Sequence, residues 1–261
     1  MELLKSNIKS IYFKYLFASM GSAIVMSIYS FVDTIAVGQS EGPNGTAAMA
    51  VIAPLYGATV FFAILCGIGG SVLMSNAKGE GNEKEANSYF TAALIKMSVL
   101  TAIFWVSFAL FAETIFTIFG ADESIMPLVM KYARWIIIFC PVFLFSVFLA
   151  CFIRNDNAPR LAMRSVLIGG AVNIFGDWFF VFPLGMGISG AAIATVIGTT
   201  IQTLILCSHF LSPACQLKLV KPNKLFGTFK KIVTTGFASG LLDLANVVLI
   251  CILNNKIVRY G

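Results

Sequence analysis

Four side chains could do chemistry in places where the sequence should tolerate none of them. Asp33, Asn173, Asp177 and Thr195 all sit within long apolar runs. A charged side chain at a bilayer centre costs on the order of 2.5–3.5 kcal/mol on insertion scales, so acids in such runs face a cavity or a partner and mark function. Asp243 is a third acid of this kind, whereas Glu113 lies near a run's end and reads as interfacial. Asn173 precedes Asp177 by four residues, which puts both on one helical face. Counting from the run ends at 1.5 Å per residue places Asp33 and Asp177 about 8 Å deep and Thr195 about 12 Å deep, all in the outer half of the membrane. Two carboxylates, an amide and a hydroxyl form an all-oxygen set suited to a hard cation such as Na⁺, or to a shared proton. Asn173 and Thr195 alone could simply bond between helices. Two neighbouring acids in low dielectric cannot both stay charged without help, which poises such a site to exchange one cation for another.

Other chemical signals dissolve on inspection. Gly185-Met186-Gly187-Ile188-Ser189-Gly190 matches the G-x-G-x-x-G dinucleotide pattern, but no acid follows at the required distance, and a tight turn needs glycines anyway. Six cysteines show no C-x-x-C pair and no His/Cys cluster at metal spacing, and so read as small packing residues. His209, the lone histidine, reads as interfacial, and the Asn44-Gly45-Thr46 sequon as a chance triplet. Neither catalytic residues nor a bound cofactor is implied.

The elements that must position the four residues are transmembrane helices. Of 261 residues, 58% are hydrophobic and 11% charged, against roughly 25% charged in soluble domains. Apolar runs near the ~20 residues that cross hydrocarbon give seven spans, about 11–37, 47–75, 88–118, 130–153, 161–183, 187–210 and 232–254. The first is too long for a signal peptide. The fold class is therefore an all-α integral membrane helix bundle. Pro54, Gly67, Gly69, Gly70, Pro141, Gly169 and Gly170 lie inside spans, as bends or as close-packing points.

The net charge of +6 is sorted by loop, which points away from nucleic acid and toward topology. Lys5, Lys9 and Lys14, then Lys78 and Lys84, then Arg154, Arg160 and Arg164, then Lys218, Lys221, Lys224, Lys230 and Lys231 fall on alternate connections, with Lys131 and Arg134 the exceptions. The positive-inside rule then puts the N-terminus in the cytoplasm. Phe237-Ala238-Ser239 opens span seven as Phe17-Ala18-Ser19 opens span one, which predicts a second six-helix unit beginning near residue 232 in a protein about twice as long. The predicted organisation is a six-helix N-terminal lobe over 1–214, a basic cytoplasmic linker over 215–231, and the first helix of a second lobe over 232–261.

Several motifs resemble the multidrug and toxic compound extrusion family of efflux transporters. They are Tyr29-Ser30-Phe31-Val32-Asp33-Thr34 with Val37-Gly38-Gln39; Gly67-Ile68-Gly69 with Gly79-Glu80-Gly81; Arg154 and Asp156; Asn173-x-x-x-Asp177; Gly187-x-x-Gly190-Ala191-Ala192-x-Ala194-Thr195; and Gly236-Phe237-Ala238-Ser239-Gly240-Leu241. The resemblance implies twelve helices in two six-helix lobes, set in the cytoplasmic (inner) membrane. It implies export of drugs and other cationic or amphipathic compounds in exchange for H⁺ or Na⁺. Asp33, Asn173, Asp177 and Thr195 match the family's N-lobe cation site, the set that depth also selects. Many relatives carry a proline early in the first helix, where this chain has Phe17-Ala18-Ser19, which leaves bending of span one without that cause.

The implied partners are small-molecule substrates, membrane lipid and the remainder of the second lobe. A lipid-linked sugar flippase of the same superfamily would be richer in arginine within its spans. An intramembrane aspartyl enzyme would use the aspartates differently from the motifs around them. The residues that bind the exported compound are not identifiable from the sequence.

Overall fold

The computed structural model describes residues 8–222 and 225–260, so Lys5 and Lys224 lie outside the described residues. Within them the chain is helical, with no strand: α1 (Ile8–Gly79), α2 (Glu83–Ile118), α3 (Met126–Ile138), α4 (Cys140–Asn155), α5 (Pro159–Val181), α6 (Gly187–Cys207) and α7 (Leu225–Tyr260). A 3₁₀ turn, Ser208–Leu211, follows α6. Helices are what lipid demands, because only they satisfy every backbone group within one segment.

α1 runs for 72 residues, yet holds two helices joined at Gly42, whose φ of 68° and ψ of −154° only glycine adopts readily. The chain reverses there. A Cβ on Gly45 would stand 3.0 Å from the Val37 carbonyl, although a straight helix separates residues eight apart by about 12 Å. The predicted loop of 39–46 is thus compressed to one glycine followed by Pro43, and α1 supplies spans one and two as two arms. Pro54 and Gly67, Gly69 and Gly70 do not interrupt the second arm. Span four does break: α3 and α4 meet at 58° around Phe139, where Pro141 at the start of α4 cannot supply an N–H. α2, α7, and α6 with its 3₁₀ turn are each long and apolar enough to cross a membrane, as is the bent α3–α4 pair taken as one span. α5, over the fifth predicted span, carries Arg160, Arg164, Asn173 and Asp177 within its 23 residues and is not among the helices apolar enough to cross a membrane by composition.

Phe31, Leu110, Phe175 and Leu242 stand exposed on the bundle's flanks. Such a surface suits hydrocarbon rather than water.

Connections gather at two ends. At the basic end, Asp156 lies between Lys78 and His209, and the segment after α6 is strapped down by its amides. The N–H of Gln216 donates to Asp156 Oδ2 (2.8 Å), that of Lys218 to Asn87 Oδ1 (2.7 Å), and that of Val220 to Thr91 Oγ1 (3.0 Å). At the opposite end, Glu41 Oε1 accepts from the Ile188 N–H at 3.1 Å, and Asn254 Nδ2 donates to the carbonyls of Ala50 and Phe119. This grouping matches the predicted alternation of loops.

α7 lies antiparallel along the second arm of α1. Small residues allow it: a Cβ on Gly69 would strike the Ile232 carbonyl, one on Gly236 the Leu65 carbonyl, and one on Gly240 the Phe61 ring. These steps of four residues on both helices mark backbone-to-backbone packing of the kind that dominates association in lipid.

Candidate functional site

The small residues of α5 and α6 bring the site together first. A Cβ on Gly198 would stand 2.6 Å from the Gly169 carbonyl and 3.0 Å from Asn173 Cβ, and one on Gly176 would stand 2.8 Å from Ala194 Cβ. The backbones are therefore nearly touching, and Asn173 Nδ2 reaches Thr195 Oγ1 at 3.1 Å. Gly170 packs against Val25 and Tyr29, which draws the first arm of α1 onto the same face of α5.

Asp33 enters from that arm. Its depth exceeds the expected value, because the arm continues to the break at Gly42 and puts Asp33 about 13 Å from the turn. Tyr132 of α3 bridges the two groups. Its hydroxyl donates to Asp33 Oδ2 at 3.0 Å and lies 3.4 Å from Thr195 Oγ1. Since Tyr132 has one hydrogen and gives it to the carboxylate, the Tyr56 hydroxyl, 3.0 Å away, must donate to Tyr132. Thr195 in turn donates to the Ala191 carbonyl, one turn back in α6. Two bonded pairs, Asp33 with Tyr132 and Asn173 with Thr195, thus meet across four helices, the Tyr132 and Thr195 oxygens facing each other at 3.4 Å with both hydroxyl hydrogens already given elsewhere.

The structure brings all four sequence-selected residues inside: Asp33, Asn173, Asp177 and Thr195 are buried, Asp177 completely. It also leaves acceptors over. Asp33 Oδ1, Asn173 Oδ1 and both carboxylate oxygens of Asp177 are buried with no hydrogen-bond partner. Asp177 is the member that no side chain holds, one helical turn from Asn173 and within reach of the Asp33 charge. Buried acceptors of this kind cost about 1–3 kcal/mol each, and more when charged, unless something donates to or coordinates them. Every unsatisfied atom in the cluster is oxygen, so the set fits a hard monovalent cation or a proton and would give soft metals no preferred ligand.

Asp243 does not join the cluster; it is half-buried on α7. Glu113 is exposed, as an interfacial acid should be. Tyr132 and Tyr56 escaped sequence reasoning, because a tyrosine near a span end such as Tyr132 looks like an ordinary interfacial anchor and nothing local marks Tyr56. Lys96 was missed as well. Its Nζ lies 3.5 Å from the Phe229 carbonyl and 5.9 Å from the Phe229 ring centre, tying α2 to α7 by a cation over an aromatic face.

His209 and Cys215 are corrections. His209 is buried, with Nε2 2.8 Å from Asp156 Oδ2, and Asp156, His209 and Cys215 place ligand atoms within 4.8 Å of one another despite the absence of any metal spacing in the sequence. The carboxylate is already saturated by Lys78, His209 and the Gln216 N–H, so the cluster acts as a clamp centred on the Lys78–Asp156 ion pair. Burial alone would push the Asp156 carboxyl up; the Lys78 ammonium and the two further bonds outweigh it and hold the group below the usual carboxylate value. The other cysteines are free, with Cys66, Cys140 and Cys151 buried as packing residues.

A family model described as MatE matches residues 18–179. The chain is 28% identical over 192 residues to the probable multidrug resistance protein YoeA of Bacillus subtilis, covering 71% of this chain and 41% of that protein. It is 22% identical over 249 residues to the multidrug export protein MepA of Staphylococcus aureus, covering 93% of this chain and 54% of that protein. Among solved structures, a multidrug resistance MATE family transporter of the MOP superfamily, in an outward-facing conformation, superposes with a TM-score of 0.84 at 23% identity, over 93% of this chain and 54% of that one. The chain spans about half the length of the curated relatives it matches.

Proposed function

We propose, from the premise that this chain belongs to the MatE family, that it supplies the N-terminal lobe of a cation-coupled exporter of drugs and other amphipathic or cationic compounds. Family members are transporters, not enzymes. The observation that carries the coupling role is the set of buried oxygens without partners on Asp33, Asn173 and Asp177. Leaving them bare is costly, so the stable occupants are a proton or a Na⁺ ion that enters as co-substrate.

The spread of the cluster over four helices explains how loading could be felt elsewhere. Asp33 belongs to the first arm of α1, Asn173 and Asp177 to α5, Thr195 to α6 and Tyr132 to α3. A cation drawn between Asp33 and Asp177 pulls two helices toward one point, and its release lets their charges repel. A ligand shifts a conformational equilibrium only through different affinities for its two states, and carboxylates on separately moving helices provide such a difference. With the basic end facing the cytoplasm, the site lies in the outer half of the lobe, where an inward cation gradient and the membrane potential, about 2.3 kcal/mol per charge per 100 mV, both favour filling. The remaining helices of a second lobe complete the substrate path.

The test is efflux of a fluorescent organic cation from vesicles containing the intact transporter, under an imposed Na⁺ gradient and separately under an imposed pH gradient. Efflux driven by one gradient and lost in Asp177→Asn supports the reading. Equal efflux with both aspartates neutralised, at matched protein levels, would overturn it.

A further inference from the structure

We infer that the basic end of the bundle carries a binding site for a phosphate group, most naturally the headgroup of an anionic phospholipid, in a cavity between α2, α7 and Lys221 of the segment that follows α6. The proposal is independent of what the protein exports.

The cavity has a volume of about 360 Å³, enough for a phosphodiester headgroup rather than a single water. Its wall carries three lysines from three separate elements: Lys84 in the first turn of α2, Lys221 in the connecting segment and Lys231 in the second turn of α7. Lys84, Lys221 and Lys231 make no ion pair with an acid among the described residues. The one acid on the wall, Glu85, is committed to the start of α2: Asn82 Nδ2 donates to its Oε2 at 2.9 Å and the Tyr89 hydroxyl to its Oε1 at 3.1 Å. Ser88 and Thr228 line the same cavity.

Three like charges around one hollow repel unless an anion shares it, and lysine binds phosphate as a point charge. The surroundings favour a lipid as the carrier. Leu219 and Phe226, which flank the cavity's Lys221 and Gly227 in sequence, are 69% and 87% exposed. A soluble anion leaves those side chains unexplained, whereas a phospholipid sets acyl chains against them while its phosphate meets the lysines. Basic pockets between helices at the membrane surface bind anionic headgroups in this way. Occupancy would also bridge three elements and so would fasten α7 to the preceding helices.

The experiment uses the protein purified from membranes and placed in phosphatidylcholine discs with graded fractions of phosphatidylglycerol, at fixed ionic strength. Thermal unfolding and the number of lipids retained in native mass spectrometry are read together. Phosphatidylglycerol should raise the unfolding midpoint saturably. That rise should fall by at least half in the variant carrying Lys84→Gln, Lys221→Gln and Lys231→Gln, and persist in a charge-matched control carrying Arg160→Gln, Arg164→Gln and Lys230→Gln. Gly227→Phe, at a wall position where a Cβ meets nothing within 4 Å, should occlude the hollow with every charge kept and also lose the rise. A second arm adds inorganic phosphate to discs without phosphatidylglycerol. A rise there that needs the same lysines assigns the site to soluble phosphate, and a rise with phosphatidylglycerol alone assigns it to lipid. The inference is overturned if neither ligand moves the native protein, or if the lysine and Gly227→Phe variants respond as the native protein does.

Discussion

Tyr132 gives its only hydroxyl hydrogen to Asp33, across 3.0 Å, and so binds the bent fourth span to the first. Tyr132→Phe removes that donor and leaves Asp33 with neither oxygen satisfied. A hydrogen bond to a charged group is worth about 1.5–3 kcal/mol, so gradient-driven efflux should fall about tenfold or more at unchanged protein abundance. Tyr56→Phe should cost less, since Tyr56 reaches the carboxylate only through Tyr132. Equal losses from both would mean that the tyrosines serve packing alone.

Asp177→Asn should abolish coupled efflux while the protein still inserts, because an amide can neither bind a proton in this range nor offer a full charge to Na⁺. Thr195→Ala should weaken efflux only severalfold, since its oxygen is one ligand among several and already accepts from Asn173. Initial rates in vesicles, compared at saturating gradient, separate the two outcomes.

Gly185 and Gly187 both have positive φ, 63° and 55°, but only Gly187 is enclosed. A Cβ there meets Glu41 Oε1, the oxygen that accepts from the Ile188 N–H, while one on Gly185 meets nothing within 4 Å. Both alanine variants bear backbone strain of about 1–2 kcal/mol. Gly187→Ala should lower the unfolding midpoint further, and the excess should shrink in a Glu41→Ala background.

The Asp156 clamp makes a pH prediction. Its carboxyl is held below the ordinary 3.8 in the folded protein, so the unfolded chain takes up this proton first as pH falls. The stabilisation is present in full above about pH 4–5 and is lost as pH drops through the depressed folded value. Asp156→Asn should therefore destabilise the fold at pH 7 by about 3–5 kcal/mol and flatten the acid limb of the profile. An unchanged acid limb would show that Lys78 and His209 do not stabilise the charged form.

The site's acids were legible because lipid makes them expensive: Asp33 and Asp177 stand out in an apolar run as they would not in a soluble protein. Asn173 was legible through its spacing of four from Asp177, and Thr195 through its depth. Tyr132 was not, because nothing local distinguishes a tyrosine that bonds a carboxylate from one that anchors at an interface; only the bend at Phe139 decides where its hydroxyl arrives. The clamp of Lys78, Asp156, His209 and Cys215 was hidden for a related reason, its members being spread over 138 residues of sequence with no common period. The glycines at 69, 169 and 170 could be recognised as special, but whether they bend a helix or admit a neighbour depends on which helix lies opposite. Gly42 lay within a predicted loop and proved to be the entire turn.

The strap after α6 presents every second amide, those of residues 216, 218 and 220, to acceptors on α2 and at the end of α4. Helical side chains here do the work of a neighbouring strand, and the segment is consequently read with a parity. Adding one residue before Gln216 would offer the intervening amides and turn Leu217 out of the core; adding two would restore the phase at the cost of slack. The distance between the sixth and seventh crossings is thus set in steps of two residues rather than one, and length variation in this connection should be counted by whether it is odd or even.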